Sequence, residues 1–382
     1  MRIGIDGLPL TETLTGIGHY TLELAKHLAQ NSPEDEIQIV SPRAYLPSLD
    51  LQRERPANLR FVRSRVSPIT RHWWSIGLPR YIRRHGIDVF HGTNFEVPLR
   101  NVCPTVVTVH DLSMLLYPHT QERKRVRRAQ RRLPLMARAA TMVITPTESV
   151  RREVHKHLKI PLDRIVAVPE AARSCFHRLE PDQTTVTKNR LGIHHDFLLF
   201  VGTVEPRKNL ATLLRAFAEI LRVRKKPLQL VIAGRKGWLV DDLFESLTHA
   251  PLAGSVIFTG YLPDEDLCAL YSSCTAFVYP SIYEGFGLPP LEAMACGAPV
   301  IASRIPAIEE VVGSAGRFFS PDSTAELSHL ILELVDSSST RKDLAIAGCN
   351  RAVQFSWSRT ATANEAVYAE ARERFTPLRT KR

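Results

Sequence analysis

Short β-branched runs alternate with segments whose apolar residues recur every three or four positions along most of this 382-residue chain. That alternation predicts parallel strands connected by helices. In the first half the strands are expected at 2–6, 37–41, 59–63, 89–92, 106–110, 142–146 and 165–169. In the second half they are expected at 197–201, 230–233, 256–258, 276–279 and 300–303. A helix is predicted at 20–29 after Gly16 and Gly18, and another after Asn209, expected to be its cap, with Leu210, Leu213, Leu214, Phe217 and Leu221 on one face. Further helices are expected after Asp264, Leu288 and Pro306. Periodicity is lost between Glu170 and Thr187, so two βα domains are expected, 1–180 and 181–357. A terminal helix and tail, 358–382, carries Ala361, Asn364, Val367, Tyr368 and Ala371 at helical spacing and is expected to return to the first domain.

Length and composition agree with two globular domains, each large enough for its own core. Apolar residues make up 44% of the chain and charged residues 23%, which excludes extended disorder and a disulfide-dense miniprotein. No apolar run reaches the length of a membrane-spanning helix and the N-terminal residues lack a signal-peptide pattern, so a cytoplasmic protein is expected. Six scattered cysteines form no CxxC, which suggests neither zinc nor a redox pair. Charge is divided unevenly. Residues 1–185 hold 28 Lys and Arg against 18 Asp and Glu, whereas the remainder holds 22 against 21. An anionic partner for the first half follows: a nucleic acid, a membrane surface or a phosphorylated substrate.

The densest chemical signal is PSIYEGFGLPPLEAMACGAPVIAS, residues 280–303. A strand end leads into a loop with Glu284, Gly285, Phe286 and Gly287, and prolines 289 and 290 suit the first turn of a helix containing Glu292. Glycines admit a ligand to the main chain, and exposed N–H groups favour phosphate or hydroxyl oxygens. Two carboxylates would repel a diphosphate but accept hydrogen bonds from sugar hydroxyls on either side of it. As a bare pair they would more commonly be surface acids near a helix start. A complementary cationic site lies in LLFVGTVEPRKNLATLLRAF, where Gly202 follows a strand and Arg207 and Lys208 precede a helix. That grouping suits a leaving diphosphate. His110 and Asp111 close the apolar run TVVTVHDL at a strand end, where open α/β sheets place ligands, and His91 is a weaker candidate of the same kind. Asp264, Glu265 and Asp266 look like a metal-binding triplet, but helix capping and dipole complementarity explain them better.

Together, VGTVEPRKN, LVIAGRKGW, VIFTGYLPDEDLCALY and YEGFGLPPLEAMACGAPVIAS resemble, in order and spacing, the retaining glycosyltransferases of family 4, and bacterial mannosyltransferase-like members in particular. The resemblance implies the GT-B fold, two Rossmann-like α/β domains facing a central cleft. It implies transfer of a hexose from a nucleotide sugar, GDP-mannose preferred, to a saccharide or lipid-linked saccharide. Arg207 and Lys208 would hold the diphosphate, Glu284 the sugar hydroxyls and Glu292 the ribose. Gly202 and the backbone of Gly285, Phe286, Gly287 and Leu288 would line the donor site, with Gly260 and Tyr261 near the base, and Gly16 and His110 facing it from the first domain. The catalytic set on this reading is Arg207, Lys208, His110 and Glu284, with no metal and no cofactor. Ser314 stands where the family often has an acidic residue.

Seven of the ten residues from Arg123 to Arg132 are basic: Arg123, Lys124, Arg125, Arg127, Arg128, Arg131 and Arg132. Val126, Ala129, Leu133 and Met136 form an apolar stripe that would leave the cations outside, for an anionic membrane surface or a lipid-linked acceptor. A solvated basic helix face is the plainer explanation. No nucleic-acid motif accompanies the patch, so no nucleic-acid partner is expected. Two alternatives stay open at this point: another GT-B enzyme such as a sugar-nucleotide epimerase, and a non-catalytic nucleic-acid-binding protein.

Overall fold

The computed structural model describes residues 1–46, 55–67, 72–100, 102–247 and 249–376. These divide into two compact units: 1–112, 127–170 and 356–382 form the first, and 113–126 with 171–355 form the second.

The first unit holds strands β1 (Arg2–Asp6), β2 (Glu36–Ser41), β3 (Leu59–Arg63), β4 (Val89–Gly92), β5 (Thr105–Thr108), β6 (Met142–Thr145) and β7 (Ile165–Ala167). They pair in parallel in the order β3-β2-β1-β4-β5-β6-β7. Its helices begin with α1 (Gly16–Asn31) and α2 (Leu78–His85). The short α3 (Ser113–Leu116) packs in the second unit, as does the first turn of α4 (Arg123–Ala139), and α5 (Glu148–Leu158) follows in the first. Thr147 caps α5 by accepting from the Val150 N–H. β5 stops two residues before the expected end, and α1 starts at Gly16 rather than Tyr20, so both early glycines lie in a helical first turn.

In the second unit, α6 (Pro181–Arg190) precedes β8 (Asp196–Val201), α7 (Leu210–Val223), β9 (Leu228–Ala233), α8 (Asp241–Ser246), β10 (Val256–Gly260) and α9 (Asp264–Ser273). Then come β11 (Ala276–Tyr279), α10 (Leu288–Ala295), β12 (Val300–Ser303), α11 (Pro306–Val312), β13 (Gly316–Phe319), α12 (Thr324–Asp336) and α13 (Ser338–Ala352). The parallel sheet order is β10-β9-β8-β11-β12-β13. β13 has no counterpart in the expected strands, because its RFF is too short a run to separate from the preceding helix by pattern alone. Period-two alternation sends Leu199 and Val201 into one core and Leu198 and Phe200 into the other, one on each face of the sheet.

The unit boundary falls at Glu170 and Ala171, ten residues before the expected one, because Phe176 is buried in the second unit's core with Leu179 packed against it. Residues 113–126 join the same unit through side chains: the Tyr117 and Tyr283 rings lie 5.0 Å apart, the Trp238 Nε1–H donates to the Thr120 carbonyl at 2.9 Å, and the Arg125 guanidinium sits over Trp238.

The last helix, α14 (Trp357–Arg374), belongs to the first unit. Ser356 caps it, and Ala361, Asn364, Val367, Tyr368 and Ala371 are all buried. It packs along α1, where the Asn31 amide donates to Ser358 O and Thr362 Oγ1, and Tyr368 OH meets His91 Nδ1 at 2.7 Å. Residues 377–382 of the expected tail lie outside the described residues. Among the described residues no helix is long and apolar enough to cross a membrane.

Candidate active site

In the second unit, the carboxyl ends of β8, β9, β10 and β11 gather most of the expected donor-site residues. Gly202 leaves β8 at φ +150°, and a Cβ on Gly234 would come within 2.0 Å of its carbonyl oxygen, so the backbones after β8 and β9 touch only because residue 234 is a glycine. One 3-10 turn, Pro206–Lys208, then presents both cations. Asn209 does not cap α7 with its side chain. At φ +55° it turns the amide to the carbonyls of Pro280 and Pro321, at 3.1 and 2.9 Å, and so ties this turn to the loop after β11.

Glu284 stands between the two cations. Arg207 Nη1 donates to its Oε2 at 2.7 Å and Lys208 Nζ to its Oε1 at 2.6 Å. Arg207 is fixed further by Glu205 Oε1 at 2.6 Å and the Tyr283 carbonyl at 2.9 Å, while Lys208 also reaches Tyr279 OH at 2.8 Å. Burial by itself disfavours the Glu284 anion, but Arg207 and Lys208 reverse that and hold its carboxyl down at about 2. Burial also lowers the proton affinity of Lys208, and Glu284 only partly offsets this because Arg207 shares the same carboxylate and repels the ammonium. The charges are therefore compensated without ligand, and an arriving diphosphate can take over both cations and free Glu284 for neutral hydroxyls.

Gly287 precedes α10 at φ +108°, where a Cβ would lie 2.5 Å from Ile308 Cδ1. Its neighbours Gly285, Phe286 and Leu288 complete the turn, and Phe286 is buried against Phe355. Glu292, one turn into α10, is buried and receives Tyr271 OH and Arg173 Nη2, each at 3.5 Å. Burial pushes it up to about 7, against the pull of Arg173 and with a push from Asp264. Gly260 ends β10 at φ +71° with open space where a Cβ would stand, and the exposed Tyr261 ring carries the Arg235 guanidinium at 5.0 Å.

The acidic triplet fills the first turn of α9, where it complements the helix dipole as expected, but Pro263 holds the cap position and two of the three acids also form ion pairs. Asp264 takes Arg173 in a two-pronged pair at 2.5 and 3.0 Å, and Asp266 pairs with Arg190 and accepts from Thr187 Oγ1. Arg173, in the aperiodic stretch after β7, is a site neighbour that sequence reasoning missed, as was Glu205. Ser314 is exposed in the 3-10 turn before β13.

In the first unit, His110 follows β5 with both ring nitrogens facing acceptors: Nδ1 lies 3.1 Å from Glu170 Oε1 and Nε2 lies 2.9 Å from the Thr93 carbonyl. Burial resists the charge, but Glu170 and the Thr93 carbonyl outweigh it and raise the imidazole above its ordinary value. Both contacts favour the protonated ring, which is held edge-on to Tyr20 and near Phe95. His91 lies between Tyr368 OH and Thr108 Oγ1, and burial keeps it neutral, pushed down to about 3. At Gly16 a Cβ would meet nothing within 4 Å, whereas at Gly18 it would press on Leu14 at 2.9 Å. Gly18 therefore serves packing, and Gly16 faces open space. Asp6, at the end of β1, is a buried acid that burial pushes up to about 7.

The basic segment is partly neutralised. Glu96 takes Arg132 at 2.8 Å and Arg128 at 3.5 Å, and Glu122 takes Arg125 at 2.9 Å. Arg123, Lys124, Arg127 and Arg131 are exposed and make no ion pair among the described residues. Val126, Leu133 and Met136 are buried as the stripe implies, while Leu135 is 57% exposed.

The family model for glycosyltransferase family 4 matches residues 14–171 and the model for glycosyl transferases group 1 matches residues 185–351. O-antigen chain mannosyltransferase B of Escherichia coli is 32% identical over 381 residues, 96% of this chain and 99% of that protein. The chain belongs to glycosyltransferase family 4. This transferase is also 29% identical to the MMP alpha-(1->4)-mannosyltransferase of Mycolicibacterium hassiacum, over 97% of this chain and 98% of that one. Among solved structures, Anabaena Alr3699/HepE in complex with UDP-glucose aligns with a TM-score of 0.77 at 17% identity, covering 97% of the transferase and 99% of that chain, a likeness of GT-B fold.

Proposed function

We propose that this glycosyltransferase moves a mannosyl residue from GDP-mannose to a saccharide or lipid-linked saccharide, with retention at the anomeric carbon, in the assembly of a cell-surface polysaccharide or glycolipid. The observation that carries the reading is Glu284 gripped by Arg207 and Lys208 at the carboxyl end of the second sheet. In the reaction the bond from the anomeric carbon to the diphosphate breaks as the acceptor oxygen bonds to the same face. The acceptor proton passes to a phosphate oxygen of the leaving GDP. Arg207 and Lys208 stabilise the charge growing on the diphosphate, and Glu284 and Glu292 orient the hexose and ribose hydroxyls. His110, whose proton affinity Glu170 raises, contributes by favouring positive charge beside the donor. Mannose is favoured by the two mannosyltransferases that align over nearly their whole length. Arg123, Lys124, Arg127 and Arg131 of α4, without an ion pair among the described residues, supply a surface for an anionic membrane or a diphosphate-linked lipid, at the cytoplasmic face.

The test incubates the protein with GDP-mannose, GDP-fucose, UDP-glucose and UDP-galactose, each with and without mannose-terminated saccharide and lipid-linked acceptors. Nucleotide release should require the acceptor and be fastest with GDP-mannose, and the one-bond carbon–proton coupling of the product's anomeric centre should report the α-linkage of the donor. Release without an acceptor, a preferred UDP-sugar, or an inverted anomer would overturn the corresponding part.

A further inference from the structure

The donor-site acids differ in their support. Glu284 has two cations at hydrogen-bond distance, whereas Glu292, equally buried, has one guanidinium at 3.5 Å and one phenol at 3.5 Å. That guanidinium is already committed. Arg173 donates to both oxygens of Asp264, at 2.5 and 3.0 Å, stacks over the Phe176 ring at 4.8 Å, and is only 12% exposed. Phe176 in turn meets Tyr271 edge to face, at 5.7 Å between centroids. Arg173 therefore cannot swing toward Glu292 without giving up Asp264, and cannot leave without stranding a buried acid.

We propose that Arg173, anchored by Asp264 on α9, is a positioning residue that aims the Glu292 carboxylate at the ribose of the donor nucleotide. This rests on the reading of Glu292 as the ribose-binding acid. A carboxylate that accepts both ribose hydroxyls must be charged and fixed in rotation. The groups facing Glu292 are Arg173 and Cys175 from the segment after β7, Asp264 and Tyr271 from α9, and Cys296 just past the end of α10. Arg173 is the single cation among them. Burial raises Glu292 most, Arg173 favours the charged acid and Asp264 opposes it, and together they push Glu292 up to about 7. The two partners thus act on Glu292 with opposite sign. Removing Arg173 raises the pH at which the site becomes competent. Removing the Asp264 charge frees the guanidinium for Glu292 and lowers it.

The test measures GDP and UDP binding by calorimetry from pH 5.5 to 9 for the native protein, Arg173→Met and Asp264→Asn, with the 2′,3′-dideoxy form of each nucleotide as control. The native protein should bind the ribonucleotide more tightly as pH rises through about 7, and the dideoxy form should lack this dependence. Arg173→Met should move the midpoint up by about one pH unit, weakening binding about 5-fold at pH 7 with recovery toward pH 9. Asp264→Asn should move it down and tighten binding at pH 6. Loss of the ribose-dependent pH effect in the native protein would overturn the ribose reading itself. Its retention with an unmoved midpoint in both variants, or with both midpoints displaced in one direction, would overturn the role of Arg173 alone. Should Arg173→Met fail to fold, the Asp264→Asn shift decides.

Discussion

Glu284→Gln separates what the carboxylate does for folding from what it does for ligands. The side chain is 9% exposed, its oxygens take Arg207 and Lys208 at 2.7 and 2.6 Å, and its carboxyl lies at about 2 against an ordinary 4.5. That difference corresponds to about 3 kcal/mol of stability at neutral pH. A lowered folded-state value places this stabilisation above pH 4.5, and it is lost as pH falls toward 2. The amide keeps one acceptor oxygen for one of the two donors, turns an N–H toward the other, and leaves two buried cations without the Glu284 counter-charge. The urea midpoint of the second unit should therefore fall by about 1 M at pH 7, taking about 3 kcal/mol per M for a unit of this size. The gap from the native protein should narrow between pH 5 and 3. Binding should respond in the opposite direction. Without its internal anion the Arg207 and Lys208 pair should hold free GDP at least as tightly as before, while GDP-mannose transfer drops because a sugar-hydroxyl acceptor is lost. An unchanged urea midpoint, a gap independent of pH, or equal weakening of GDP and GDP-mannose would refute the pincer.

His110 offers a test of the reverse sign. Its raised value means that stabilisation from the imidazolium–Glu170 pair is fully present below 6.5 and fades as pH rises through the folded value, so Glu170→Gln should cost about 2 kcal/mol at pH 6 and less at pH 9 in thermal denaturation. An equal cost at both pH values would mean that His110 is not held protonated. On α4, replacing Arg123, Lys124, Arg127 and Arg131 by Gln should sharply reduce co-sedimentation with vesicles containing anionic lipid, at about 1 kcal/mol per cation, and added salt should erase the difference. Replacing Arg128 and Arg132, which share the single charge of Glu96, should change it less, and equal effects of the two sets would count against a membrane-facing role.

The α/β architecture was legible because its signals are local. Strand periodicity located twelve of the thirteen strands, and the glycine, proline and acid spacing of 280–303 marked the loop after β11 as the densest chemical signal. Position on the fold modified particular residues. Asn209 stands where a cap is expected but spends its amide on Pro280 and Pro321, and the Asp264 and Asp266 carboxylates, in the first turn of α9, also take Arg173 and Arg190. Sequence pattern cannot distinguish these uses, since a short polar side chain at a helix start serves either, and only the neighbour brought by folding decides.

What the chain determined by itself was the succession of elements, the two sheets and the residue types offered at their carboxyl ends, because propensity and hydrophobic period act over a few residues. What the tertiary structure alone decided was pairing. Glu284 meets cations 76 and 77 residues away, Arg173 meets an acid 91 residues on, Cys268 and Cys296 bring their sulfurs within 3.8 Å, and His110 finds the Glu170 that raises its proton affinity. Charge state follows from burial and distance together. Neither is a property of a stretch of sequence, so the roles of these acids and of His110 emerge only once the sheets have assembled around them.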